Sequence, residues 1–173
     1  MLREAGIEFA VIESGADETP LSGESARDFA LRMAREKALA VSLKAPDDLV
    51  LTADTVVEID GDILNKPESA EQARAMLRRL SGRTHVVITA FAVAHRKVVI
   101  ESTPIQSRVT FRKLTDDVID AYIASGEPFD KAGAYGIQGK GADFILHVEG
   151  SWSNVMGLPV DETLAALRRH GAV

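Results

Sequence analysis

The hydrophobic pattern of this chain switches between a period of two and a period of 3.6 several times within 173 residues, with no repeat, low-complexity tract or long linker between the segments. A chain patterned in this way folds as one α/β domain, and its length falls short of two ordinary domains. Phe9 to Glu13 is predicted as a strand, followed by a polar turn-rich stretch from Ser14 to Pro20. A helix is predicted from about Gly23 to Ser42, with Ser22 as its cap. Leu49 to Ala53 and Thr55 to Ile59 read as strand segments on either side of Asp54, and Asp60-Gly61 is a hairpin-turn signal. Ser69-Ala70-Glu71-Gln72 has capping-box form and opens a helix that Ser81-Gly82 closes. Strands are predicted over His85–Ala94, Val98–Ser102, Ser107–Arg112 and Asp143–Val148. Helices are predicted to start at Thr115 and to run from Val160 to Arg169.

Composition excludes several classes of function. No cysteine is present, which removes disulfides, thiolate catalysis and zinc–thiolate sites. No apolar run approaches the ~18 residues that span a bilayer, and the first residues do not resemble a signal peptide, so a soluble cytoplasmic protein without membrane partners is expected. The net charge of -6 argues against a nucleic-acid-binding surface. His85, His95, His147 and His170 lack metal-ligand spacing, and Gly136-Ile137-Gln138-Gly139-Lys140-Gly141 fits neither the dinucleotide fingerprint nor the Walker loop.

Two residues resist a bland reading. On a helical wheel Ala26, Phe29, Ala30, Met33 and Val41 form one stripe, and Lys37 sits near its centre. Snorkelling is the ordinary explanation for such a lysine; the alternative is an ammonium aimed into a cleft to meet an anion, since burial without a counter-charge is expensive. Asp54 interrupts an apolar stretch that resumes at once as Thr55-Val56-Val57, which holds a carboxylate on a stiff support. Such a group can bind a divalent cation or take a proton from water, although an Asp turn at a strand end is the competing reading. Lys66, after the hairpin, and Lys131, heading the small-residue run to Gly139, each read alone as a solvated charge, and Gln138 as a loop amide able to meet a base edge. Trp152 could stack on a base, but a lone tryptophan is more often core.

Taken together, Ala53 to Val57, Gly61 to Lys66-Pro67, Leu80 to His85, Lys131 to Gly139 and Gly157-Leu158-Pro159 resemble, in order and spacing, the Maf family of nucleoside triphosphate pyrophosphatases. The resemblance spans essentially the whole chain, residues 1–173. It implies an elongated α/β fold related to inosine triphosphate pyrophosphatases, with a mixed twisted sheet flanked by helices and a central cleft. It implies that Asp54 is the proton acceptor, that Glu18, Lys37 and Lys66 share its cleft, and that Glu18 and Asp54 hold Mg²⁺ or Mn²⁺ while the two lysines hold phosphates. Lys131 counts as a further substrate-binding candidate. Thr55 and Gln138 fall at positions that track base preference, and their identities resemble the dTTP/UTP branch, which implies hydrolysis of dTTP, UTP and modified pyrimidine nucleotides to monophosphate and pyrophosphate. The alternatives are a noncatalytic nucleotide-binding regulator linked to cell division and a 7-methyl-GTP pyrophosphatase; a homodimer is also expected. The chain departs from the family at its start. Family members begin with a short apolar strand and a Ser-Pro-Arg-Arg loop, then a helix ending near the equivalent of Leu2 to Gly6, so an N-terminally truncated domain with exposed apolar edges is expected, and a start assigned too late is the favoured cause.

Overall fold

The structure is a computed structural model and describes residues 1–172. Helix α1 spans Ala26–Lys44. It is followed by strand β1 (Val50–Ile59), strand β2 (Asp62–Leu64), helix α2 (Ala70–Leu80), strand β3 (Thr84–His95) and strand β4 (Val98–Phe111). Helix α3 (Asp116–Ala124), three short 3₁₀ turns, strand β5 (Ile145–Glu149), a single turn α4 (Trp152–Val155) and helix α5 (Val160–Arg169) complete the chain.

The five strands form one sheet in the order β2-β1-β3-β4-β5. All four pairings are antiparallel rather than the expected mixture of directions. The α/β class holds, and the reason for the difference is topological. Strands β2 and β3 run the same way and are linked through α2, but β1 lies between them, so the crossover leaves no parallel neighbours.

Strand alternation divides the core by face. Val50, Val56, Ile88, Ala90, Ala92 and Ala94 point to one side and pack under α1, against Phe29, Ala30 and Met33. Val57, Val87, Val109 and Phe111 point to the other, where α2, α3 and the 3₁₀ segments cover them. Strand β3 is therefore apolar on both faces, which is why its sequence reads as an almost continuous hydrophobic run.

The Asp60-Gly61 turn forms as expected, with both residues at positive φ (57° and 83°), the geometry of a two-residue hairpin. Helix α1 starts three residues later than predicted. Its cap is Ser25, whose Oγ accepts the Asp28 amide at 3.1 Å. Phe9 to Glu13 does not form a strand: it has no pairing partner among the described residues, and Phe9, Val11 and Ile12 are exposed. Along β1, strand β2 covers only Val57–Ile59, so the edge from Val50 to Val56 carries no pairing on that side among the described residues.

Candidate active site

A cleft of about 500 Å³ opens at that uncovered edge of β1. Because successive side chains of a strand point to opposite faces, the cleft receives Asp54 from the α1 face and Thr55 from the other, and so wraps around the strand.

On the α1 side three elements converge. Lys37 Nζ lies 2.6 Å from Asp54 Oδ1 and 2.6 Å from Glu18 Oε1, while Lys66 Nζ lies 3.8 Å from Glu18 Oε2. Lys37 is therefore no snorkelling lysine: only 16% of its side chain is exposed, and its charge is met by two carboxylates. The α1 stripe supplies the ammonium and β1 the Asp54 carboxylate. Glu18 comes from a segment without regular structure that α1 holds in place, since Arg32 donates to the Thr19 carbonyl at 3.1 Å and Lys44 donates to the Glu13 carbonyl at 2.6 Å. Arg32 is itself fixed by Glu24 at 2.7 Å.

These contacts set the proton affinities. Burial raises the Asp54 carboxyl above the ordinary aspartate value, and the Lys37 ammonium only partly offsets that. For Lys37, burial works against the charge, but bonds to Asp54 and Glu18 together leave its pKa above the usual lysine value. Glu18 is lowered, chiefly by the bond from Lys37. At neutral pH the site holds a buried carboxylate that accepts a proton more readily than a surface aspartate, clamped by a permanent cation.

The opposite wall is largely neutral. Thr55, Tyr135, Ile137, Gln138 and Met156 line it, with Gln138 exposed at the mouth. Lys131 stands at the rim, paired with Asp130 at 2.7 Å. Its stem crosses Gly136 so closely that a Cβ there would lie 2.7 Å from Lys131 Cε, so a larger residue at 136 would push the lysine stem aside. The seven residues singled out in the sequence, Glu18, Lys37, Asp54, Thr55, Lys66, Lys131 and Gln138, all border this cleft. Sequence reasoning missed Thr89 and Asn154, which support the wall from below; both are fully buried polar residues with no signal beyond their occurrence in apolar surroundings. Trp152 is half exposed and borders no part of the cleft, so it is neither core nor base platform. Among the described residues no cluster of three or more His, Asp or Glu side chains could hold a metal ion, and no helix is long and apolar enough to cross a membrane.

Comparison with known proteins accounts for this arrangement. Residues 1–170 match the family described as Maf-like protein. The chain belongs to the Maf family. It is 50% identical over 171 residues to a dTTP/UTP pyrophosphatase of Myxococcus xanthus (strain DK1622), covering 99% of this chain and 86% of that protein. It is 47% identical over 175 residues to the dTTP/UTP pyrophosphatase of Geotalea uraniireducens (strain Rf4), covering 100% and 90%. The dTTP/UTP pyrophosphatase of Escherichia coli O157:H7 is 47% identical over 174 residues, covering 100% and 88%. The motifs that this Maf chain spreads over residues 53–57, 61–67 and 131–139 thus come together around a single cleft.

Proposed function

We propose that the cleft hydrolyses nucleoside triphosphates, dTTP, UTP and modified pyrimidine nucleotides among them, to monophosphate and pyrophosphate, as a nucleotide-pool clearance enzyme of the cytoplasm. The observation that carries this reading is the meeting of Lys37 with Glu18 and Asp54, at 2.6 Å each, on the charged wall of a cleft whose other wall is neutral. One wall suits a polyphosphate and the other a base. The activity named for the three relatives supports the same reading.

Asp54 acts as general base, taking a proton from the water that attacks the α-phosphorus. The bond from that phosphorus to the bridging oxygen breaks, and its electron pair leaves with pyrophosphate. Lys37 and Lys66 stabilise the charge that develops on the departing oxygens, and Lys131 reaches the same tail from the rim. Glu18, Asp54, Lys37 and Lys66 sum to zero formal charge, so a triphosphate tail calls for further positive charge. The donor set fits a hard divalent cation, because Mg²⁺ is commonly held by one or two carboxylates with phosphate oxygens completing its shell. Glu18 and Asp54 would hold Mg²⁺ or Mn²⁺, which supplies charge neutralisation to the phosphates when bound.

The test is product analysis. Incubation with UTP or dTTP and Mg²⁺ is expected to release pyrophosphate and the monophosphate in equal amounts, and to stop on chelation. Release of orthophosphate with diphosphate as co-product would overturn the assignment of the bond that is cut.

A further inference from the structure

The neutral wall of the cleft carries a hydrogen-bond chain whose direction is determined by its far end. Thr55 and Thr89 face each other directly across β1 and β3, with their hydroxyl oxygens 2.9 Å apart. Thr89 is fully buried, and its Oγ1 lies 2.8 Å from the Asn154 carbonyl oxygen. A carbonyl can only accept, so the single proton of Thr89 is committed to Asn154. The Thr55–Thr89 contact then has one solution: Thr55 donates and Thr89 accepts. What Thr55 shows to the cleft is lone pairs alone.

The far end is held firmly. The Asn154 carbonyl also accepts the Gly157 amide at 3.0 Å, the Asn154 amide donates to Ser151 Oγ at 3.2 Å, and Asn154 Nδ2 donates to the Val87 carbonyl and to Ser107 Oγ at 3.2 and 3.0 Å. The near end is left open. Gly157 lies beside Thr55, and a Cβ there would sit 3.5 Å from Thr55 Oγ1, partly screening the oxygen that glycine leaves bare.

We propose that Thr89 is a positioning residue that locks the Thr55 hydroxyl as an acceptor, so that the site favours bases with a protonated ring nitrogen. This rests on the reading of the cleft as a pyrimidine nucleoside triphosphate site. Uracil and thymine carry N3–H and meet the lone pair; cytosine carries a lone pair at N3 and is repelled by it. A hydroxyl free to rotate would accept from one and donate to the other, and would discriminate poorly. Fixing its rotor from a buried neighbour turns an ambivalent group into a selective one.

The experiment measures kcat/KM for UTP and CTP, as pyrophosphate released with Mg²⁺, in the wild type, Thr89→Val and Thr89→Ser. Valine keeps the shape at position 89 but frees the Thr55 rotor, and Asn154 keeps its bond from Gly157. The UTP/CTP ratio is expected to fall at least ~10-fold in Thr89→Val, largely through a gain on CTP, and to be preserved in Thr89→Ser. Equal losses on both substrates, with the ratio unchanged, would reduce Thr89 to a structural role and overturn the proposal. A measurement on the wild type covers the case in which Thr89→Val does not fold: 3-deaza-UTP, with C–H in place of N3–H, is expected to lose at least ~10-fold in kcat/KM against UTP. Turnover equal to that of UTP would overturn the acceptor assignment. Wild-type protein that releases no pyrophosphate from UTP would instead refute the underlying reading of the cleft.

Discussion

Lys37 stands between two carboxylates, and the chemistry assigned to Asp54 depends on that position. Burial raises the Asp54 carboxyl above the ordinary range while Lys37 holds it down, so the proposed base is poised by two opposed effects. Asp54→Asn keeps the shape and removes the base; turnover is expected to fall at least ~100-fold with nucleotide binding retained, as measured by single-turnover kinetics beside equilibrium titration. The pH profile carries a second signature. The base must be deprotonated to work, so activity is lost as pH falls through its raised pKa, at a higher pH than an exposed aspartate would give. Lys37→Met removes the opposing cation and leaves burial and the Glu18 charge to act alone, both of which favour the protonated form. The acid limb of kcat against pH should therefore move upward in that variant, and a limb that stays in place would separate Lys37 from Asp54 function. Sequence reasoning singled out these two residues for a sound reason, since a lysine on an apolar stripe and a carboxylate inside an apolar strand both need a partner. What it could not supply is that they are each other's partner, because a separation of 17 positions gives no measure of distance in the fold.

Elements explain why some of the pattern was legible and some was not. Helix α5 matches its expected span of Val160–Arg169, because an acidic first turn, a basic last turn and a regular apolar stripe all agree. Helix α2 likewise starts at its Ser69 cap. Strand β1 runs unbroken through Asp54, where an Asp turn at a strand end was the competing reading; the carboxylate alternates to the α1 face and finds Lys37 there, so the ladder has no reason to stop. Strand β4 runs unbroken through Pro104, which pairs opposite Ala90 where β5 does not reach, so the missing amide hydrogen falls at an edge. The opposite failure is Phe9 to Glu13, an apolar run that reads as a strand but has no pairing partner among the described residues, and local pattern alone cannot create a ladder. The consequence for the site is that Glu18 hangs on a segment secured by side chains of α1. Arg32→Ala would cut that tether at Thr19 and release Glu24, and the pair is partly exposed, so a loss of only about 1 kcal/mol is expected in thermal or denaturant unfolding. A rise in KM for UTP larger than that loss can explain would identify the tether as functional, whereas an unchanged KM would detach the segment from substrate binding. Glycine at 133 has a stricter role: it sits at φ 68°, and a Cβ would approach Val57 Cγ1 to 2.9 Å. Gly133→Ala is expected to cost about 1–3 kcal/mol, read from the denaturation midpoint.

At the scale of the molecule, the two faces of the sheet do different work. The face under α1 carries the charged wall of the cleft, and the other face carries the larger aromatic core, in which Phe111 packs edge-on against both Tyr135 and His85. Among the described residues, His85 is the one titratable side chain in that core whose charge changes in the accessible range. It is 2% exposed, its Nε2 is 2.6 Å from the Tyr135 hydroxyl, its Nδ1 has no partner, and burial pushes its pKa down to about 4. In the unfolded chain the same ring titrates near 6.5. Between those values the unfolded state binds a proton that the folded state refuses, so stability present above pH 6.5 drains away as pH falls toward 4. The loss attributable to His85 is about 2 kcal/mol between pH 7.5 and 5. Asp54 acts in the opposite sense, since its raised pKa favours the folded state as acid is added, and it must be cancelled by comparison rather than ignored. The comparison is with His85→Phe, which keeps a ring in the cluster and removes the proton site, at the expense of leaving the Tyr135 hydroxyl without its partner. Urea unfolding of both proteins at pH 7.5 and 5 should find the variant less stable at the higher pH, with the gap narrowing by about 2 kcal/mol at the lower one. A gap that stays constant would mean that His85 takes up its proton without unfolding, which would require the aromatic core to admit a charge that nothing around it is arranged to meet.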